Sequence, residues 1–184
     1  MDAITLLRDD HKTVRGLFKR FEQAGDNAHK AKRDIADRII EELAVHAALE
    51  EQVFYPAVRS AVKGSESEVL ESLEEHHIVK WTLSELEDMD PEDERFDAKV
   101  GVLIENVRHH MEEEEGEMFP KVRKALGTNA LRELGDRMLQ AKQAAPTRPH
   151  PRSPDTPPGN LIAAPVAAVL DAGKDAVARL RGRK

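Results

Sequence analysis

Two segments of the sequence place a histidine four residues before a glutamate and then continue alike. His46 and Glu50 stand in HAALEEQVFYP, and His110 and Glu114 stand in HMEEEEGEMFP, 64 residues further on. In both copies a second glutamate follows the first, and a proline stands ten residues after the histidine. Residues four apart lie on one face of an α-helix, so each pair can direct an imidazole nitrogen and a carboxylate to the same place.

A weaker repeat joins two other segments. Residues 10–15 (DHKTVR) align with residues 75–80 (EHHIVK) at an offset of 65, and each segment contributes a histidine, His11 and His76. The sequence therefore predicts that a unit of two helices is duplicated, and that the two units face each other in an antiparallel bundle with pseudo-twofold symmetry.

These residue types suit a transition-metal site. Imidazole with carboxylate favours iron, manganese or zinc, whereas calcium and magnesium prefer oxygen ligands. Four histidines and two bridging glutamates suffice for two ions, with coordination positions left open for water, oxygen or peroxide. A metal-free polar network is the alternative, but burying so many polar groups without a cation is costly. The predicted ligands are His11, His46, Glu50, His76, His110 and Glu114.

Four neighbouring residues are candidates for supporting roles. Glu51 and Glu115 repeat in both halves and either form a solvated or salt-bridged face or orient a ligand histidine. Tyr55 either closes the end of the bundle or hydrogen-bonds an oxygen species. His77 lies one position away from the apolar face of its predicted helix, so we expect it to be exposed or to support a ligand. The sequence alone does not decide between His76 and His77 as the ligand. No catalytic residue is assigned beyond the metal centre.

The elements that must position these residues are all helical. Apolar residues recur at three- and four-residue steps, which predicts an up-down-up-down antiparallel four-helix bundle with a short fifth helix and a C-terminal tail helix. Kinks are expected at Pro56 and Pro120, and a capping box at Ser65 and Glu68. The predicted helices span about residues 3–24, 28–62, 66–88, 92–126 and 129–144.

Composition divides the chain into a bundle over residues 1–145, a proline-rich linker over 146–160 and a basic amphipathic tail over 161–184. Residues 146–184 carry a net charge of +4, which leaves −11 on the rest, so the bundle is not expected to bind nucleic acid. There is no cysteine, which excludes disulfides and thiolate sites. Without a signal peptide or a membrane-spanning run in the sequence, a cytoplasmic location is expected.

These motifs, spread over residues 4–125, resemble the bacterial hemerythrin-like HHE cation-binding family. The resemblance implies a non-haem di-iron centre, oxo- or hydroxo-bridged, with the six residues named above as ligands. It departs from the oxygen-carrying hemerythrins, which use a His-x-x-x-His pair where this chain has His76 and Lys80, and a His-x-x-x-x-Asp motif where it has His110 and Glu114. Simple oxygen carriage is therefore not expected.

Three functions remain open at the level of sequence. The first is an oxidoreductase whose di-iron centre reacts with O2 or H2O2 and decomposes peroxide in the manner of a catalase. The second is a module that binds or senses iron, oxygen or nitric oxide without turnover. The third is an interaction protein whose basic tail binds an acidic partner or a membrane surface, with the bundle as scaffold, although the small alanine-rich face of the tail disfavours strong membrane binding.

Overall fold

The computed structural model describes residues 1–160, 163, 165 and 167–172, and its long elements are all helical, as expected. The second predicted helix is divided by a π-helical turn at Glu50–Phe54, and the fourth by a π-helical turn at Glu114–Met118. The α-helices are α1 (Ala3–Glu22), α2 (His29–Leu49), α3 (Tyr55–Ala61), α4 (Glu66–Glu87), α5 (Phe96–Glu113) and α6 (Phe119–Lys142).

Four rods of helix form the bundle, and the two halves of the sequence supply two rods each. In the first half α1 packs on α2, in the second half α4 packs on α5, and α2 packs on α4 between the halves. Along each rod, apolar residues form two clusters, and the predicted ligands lie where the two clusters meet. On α1, for example, Leu7 belongs to one cluster and Val14 to the other, with His11 between them. Burial of these two clusters holds the four histidines in place.

Both π turns begin at a predicted glutamate ligand, and each is followed directly by an α-helix whose second residue is proline. The N–H of Tyr55 bonds the carbonyl of Glu50, five residues back, and Phe119 bonds Glu114 in the same way. The structure thus has a wide turn before each proline where a kink was expected. Each turn inserts one extra residue into the helical repeat. In the first turn, the next buried position after Val53 is therefore Val58, whereas Ala57, four residues after Val53, is half-buried.

Two predicted helix starts differ in detail from the structure. The fourth rod begins at Phe96 instead of residue 92, because the side chains of Asp90 and Asp93 accept hydrogen bonds from the N–H groups of Glu92 and Arg95 and hold these residues in turns. The predicted capping box is also wrong. The hydroxyl of Ser65 donates to the carbonyl of Val62 instead of capping α4.

Beyond residue 126 the chain folds back onto the bundle. Gly127 adopts φ +70° and breaks the helical path of α6, as the sequence suggested, and the run that follows packs against α1. In the proline-rich segment, the Asn160 side chain donates to the carbonyl of Glu51 at 3.1 Å, and Arg148 pairs with Glu87. Much of the predicted tail, including Val166, lies outside the described residues. Among the helices described, none is long and apolar enough to cross a membrane.

Candidate metal centre

The six residues predicted as ligands converge at the middle of the bundle, and all are buried. Their imidazoles form two pairs. The Nε2 atoms of His11 and His46 are 3.2 Å apart in the first half, and those of His76 and His110 are 3.1 Å apart in the second. Each pair therefore joins the histidine of one helix to that of its partner helix within the same half.

The two glutamates span the two imidazole pairs. Oε2 of Glu50 is 3.2 Å from Nε2 of His46 and 3.3 Å from Nε2 of His76. Oε2 of Glu114 is 3.4 Å from Nε2 of His11 and 3.5 Å from Nε2 of His110. Each carboxylate thus contacts one histidine of either half, which is the placement that a carboxylate bridging two ions requires.

A carboxylate faces the outer nitrogen of every one of the four imidazoles. Three of these contacts are hydrogen bonds to Nδ1, and in the fourth the oxygen of Asp10 lies 3.8 Å from Nδ1 of His46, beyond hydrogen-bond distance. The three bonds join His11 to Glu115 at 2.8 Å, His76 to Glu51 at 3.1 Å and His110 to Glu75 at 2.7 Å.

The ionisation of these carboxylates sets the direction of the imidazole protons. Burial alone would raise the pKa of Glu51, but the hydrogen bond from His76 and the charge of Lys80 lower it below its ordinary value. Burial would raise the pKa of Glu115 as well, but the hydrogen bonds from His11 and Arg15 lower it. An ionised carboxylate can only accept a hydrogen bond. In His76 and His11 the proton is therefore on Nδ1, and the Nε2 lone pair points at the centre.

Burial keeps two of the imidazoles neutral at physiological pH. It lowers the pKa of His46 to about 4 and lowers that of His76 as well. Burial and the nearby charge of Glu114 raise the pKa of Glu50 well above its usual range. Burial would raise the pKa of Glu114 too, but the surrounding imidazoles, His110 foremost, lower it strongly. These opposed shifts arise because two carboxyl groups share one enclosed space.

The donor set fits metal cations. Both carboxylate oxygens of Glu50 and Oε2 of Glu114 are buried without a hydrogen-bond partner among the described residues. In addition, the two Nε2 atoms of each pair lie 3.1–3.2 Å apart, and in His11 and His76 the Nε2 lone pair points inward. Carboxylate oxygens buried without a partner are costly, and a cation between these donors would satisfy them. The donor atoms group accordingly into two sets that share Glu50.

Three of the four residues predicted to support the ligands lie beside them. Glu51 and Glu115 bond the outer nitrogens of histidines, and the buried hydroxyl of Tyr55 donates to Oε1 of Glu114 at 3.0 Å. His77 lies instead on the exposed face of α4, where its ring accepts a hydrogen bond from Trp81. His76 is accordingly the histidine of α4 that faces the centre.

Sequence reasoning missed the roles of Asp10, Glu75, Arg15 and Lys80. Asp10 faces the outer nitrogen of His46, and Glu75 faces that of His110. Arg15 forms an ion pair with Glu115, and Lys80 forms one with Glu51. The signal was present in the aligned segments 10–15 and 75–80, where acid and base recur at the same offset as the histidines.

Comparisons with known proteins agree with this geometry. The family model for the hemerythrin HHE cation binding domain matches residues 2–122. A crystal structure of a hemerythrin HHE cation binding domain-containing protein from Mycobacterium kansasii superposes with a TM-score of 0.66 at 25% identity, covering 78% of this chain and 86% of that one.

Two curated relatives are similar in sequence. A hemerythrin-like protein of Schizosaccharomyces pombe is 26% identical over 90% of this chain and 81% of its own length. A DNA nickase of Nostoc is 28% identical over 77% of this chain, but the match covers only 39% of that relative. Because the family model spans about two thirds of the sequence, including every predicted ligand, this chain belongs to the hemerythrin HHE cation-binding family.

Proposed function

We propose that this protein binds two iron ions between the halves of its bundle and that the resulting centre reacts with O2 or H2O2, decomposing peroxide. The observation that carries the proposal is the position of Glu50 and Glu114. Each contacts a histidine of both halves, and each has a buried oxygen without a hydrogen-bond partner among the described residues.

Each half of the bundle would supply the histidines for one of the two ions. His11 and His46 would hold one ion, His76 and His110 the other, and the two glutamates would bridge them. Imidazole and carboxylate suit iron, although manganese or zinc would also be accepted. Six protein ligands leave coordination positions open on two ions, and bound iron supplies the redox chemistry that side chains lack.

The surrounding side chains control protons and water. The hydroxyl of Tyr55 lies 3.2 Å from Nε2 of His76 and donates its one proton to Glu114, so by rotating it would donate instead to an oxygen substrate on the side of the second half. On the side of the first half, the ring of Phe119 stacks on His11 with centroids 5.8 Å apart. These buried rings exclude bulk water from the centre and strengthen the electrostatic interactions inside it.

The test compares a ligand variant with its exposed neighbour. Protein purified without added metal is expected to contain about two irons per chain, in keeping with a two-metal site. His46→Ala should lose that metal, whereas His77→Ala, on the exposed face of α4, should retain it. Elemental analysis and the optical spectrum of the three proteins make the comparison.

Catalysis is tested separately from binding. Iron-loaded wild-type protein is expected to release oxygen from added hydrogen peroxide, measured with an oxygen electrode, and His46→Ala should not. An iron-loaded protein that releases no oxygen would refute the enzymatic part of the proposal and favour a module that binds or senses iron, oxygen or nitric oxide. A wild-type protein that takes up no transition metal would refute the proposal altogether.

A further inference from the structure

A cavity of about 70 Å³ leads from the surface of the second half to the proposed metal centre. Its inner wall contains His110 and Glu114, two of the six buried residues described above. A single water occupies roughly 10–15 Å³ of such volume, so the cavity has room for a few waters. Its outer wall is acidic, formed mainly by Glu68, Glu71, Glu113 and Glu117.

One buried atom in this cavity lacks the partner it requires. The Glu114 side chain lines the inner wall and is only 1% exposed, yet its Oε2 has no hydrogen-bond partner among the described residues. A buried carboxylate oxygen without a donor is costly, and a cation is the ligand that satisfies it best. The acidic outer wall therefore leads to an oxygen that is free to accept a cation.

The duplication supplies an internal comparison, because every acidic residue of the outer wall has a counterpart in the first half. At the offsets of the two repeats, these counterparts are Ala3, Leu6, Leu49 and Val53. All four are buried in the apolar cluster that also contains Leu131, Leu134 and Met138 of α6. The first half is thus closed by an apolar seal at the position where the second half has an acidic opening.

The positive charge of Lys121 only partly neutralises the acidic opening. Lys121 lies 3.0 Å from Glu68 and 3.7 Å from Glu117. On the outer rim, His109 lies 3.2 Å from Glu113, and these two with Glu75 place three ligand atoms within 4.8 Å of one another. Such a group can contact a passing cation, but His109 and Glu113 are exposed, so by itself it would bind weakly.

We propose that this acidic opening is the route by which divalent metal cations reach the centre from solvent. The inference rests on the proposed function, since it requires that the centre binds metal. Negative charge lining a cleft concentrates cations and speeds their association, and the effect weakens as ionic strength rises. Because apolar residues seal the equivalent place in the first half, we expect both positions to be loaded through the second half.

The test measures how fast Co²⁺ binds to metal-free protein, followed by its visible absorption in a stopped-flow instrument. A variant combining Glu71→Gln, Glu113→Gln and Glu117→Gln should load about tenfold more slowly at low salt, the lower end of the range for electrostatic steering. Its final cobalt stoichiometry should match that of wild type. Its loading rate should also depend less steeply on salt.

The matched control removes the same charge elsewhere. Glu41→Gln, Glu94→Gln and Glu105→Gln together change three exposed acids outside the cavity wall and should load at the wild-type rate. A second variant, Ser72→Leu, introduces at the cavity wall the residue found at the equivalent position of the first half, Leu7, and should slow loading without changing charge.

The outcomes separate the two proposals. If wild-type protein binds cobalt and the cavity variant loads as fast as the control variant, the route is wrong and the metal centre stands. If wild-type protein binds no metal, the proposed function fails and the route with it.

Discussion

At the scale of single residues, the two halves build the same contacts from side chains that are buried to different degrees. Glu51, which bonds His76, is 7% exposed and its partner Lys80 is 10% exposed. The equivalent Glu115, which bonds His11, is 25% exposed, and its partner Arg15 is 39% exposed. Water screens the second pair and leaves the first largely unscreened, so the same chemical change should have unequal effects.

We expect Glu51→Gln to lower the free energy of unfolding by about 3 kcal/mol, because it leaves the Lys80 ammonium buried without its carboxylate. Glu115→Gln should lower it by about 1 kcal/mol or less, since Arg15 can turn to solvent. Urea denaturation of the two variants and of wild type, all free of metal, measures both values. Equal losses would show that burial does not control the strength of these pairs.

The convergence of the proposed ligands could be predicted because helical spacing brings positions four apart onto one face, as with His46 and Glu50. Their supporting residues could not be assigned with the same force. Glu51 lies next to Glu50 in sequence, and whether it faces solvent or His76 depends on the local helical pitch. That pitch is set by the π turn, which a regular period of 3.6 residues does not indicate.

At the scale of elements, the distance between packed helices limits the size of the side chains that fit between them. A Cβ added to Gly135 in α6 would clash with the carbonyl oxygen of Met1 and would lie 2.9 Å from the backbone nitrogen of Ala3. The glycine thus allows α6 to lie directly against the start of α1, where the side chain of Asp2 caps the helix through the N–H of Thr5. In contrast, a Cβ added to Gly101 in α5 would meet no described atom within 4 Å.

These two glycines make a matched pair for mutation. Gly135→Ala should destabilise the protein by about 1–3 kcal/mol, because backbone must move to admit the methyl group. Gly101→Ala should stabilise it by roughly 0.5–1 kcal/mol, because alanine loses less backbone entropy in a helix. Thermal unfolding followed by circular dichroism distinguishes the two signs. A stabilising Gly135→Ala would mean that α6 does not approach α1 this closely.

The sequence predicted the existence of the helices more reliably than their ends and pitch. Apolar periodicity sufficed to place α1 and α4 to within about two residues, as is usual for helix ends. The start of α5 was missed because two aspartate side chains compete for backbone N–H groups there, and the wide turns before Pro56 and Pro120 were taken for kinks. Both depend on local hydrogen bonds that hydrophobic patterning does not encode.

At the scale of the whole molecule, the proposed centre joins all four rods of the bundle, because each contributes one histidine. A metal that binds only the folded state stabilises it in proportion to the logarithm of its free concentration over its dissociation constant. Without metal, the same place holds buried carboxylate oxygens that lack partners among the described residues. Occupancy of the centre should therefore control the stability of the entire bundle.

Removal of metal with a chelator should lower the midpoint of thermal unfolding by about 10 °C for each site held at a thousandfold excess over its dissociation constant. The measurement compares metal-free and reconstituted wild-type protein by circular dichroism. His46→Ala is the control, since it should unfold at the same temperature with and without added metal. An unchanged midpoint in wild type would count against a centre shared by the four rods.

The two halves have the same proposed ligands, but the aromatic rings beside their imidazole pairs differ. At equivalent positions, Tyr55 places a hydroxyl 3.2 Å from Nε2 of His76, and Phe119 stacks an unsubstituted ring on His11. Two ions held there would experience different ligand fields, so they would differ in affinity and in ease of oxidation. A protein carrying a single ion, or having lost a single electron, would then settle into one preferred form instead of an even mixture of two forms related by the pseudo-twofold axis.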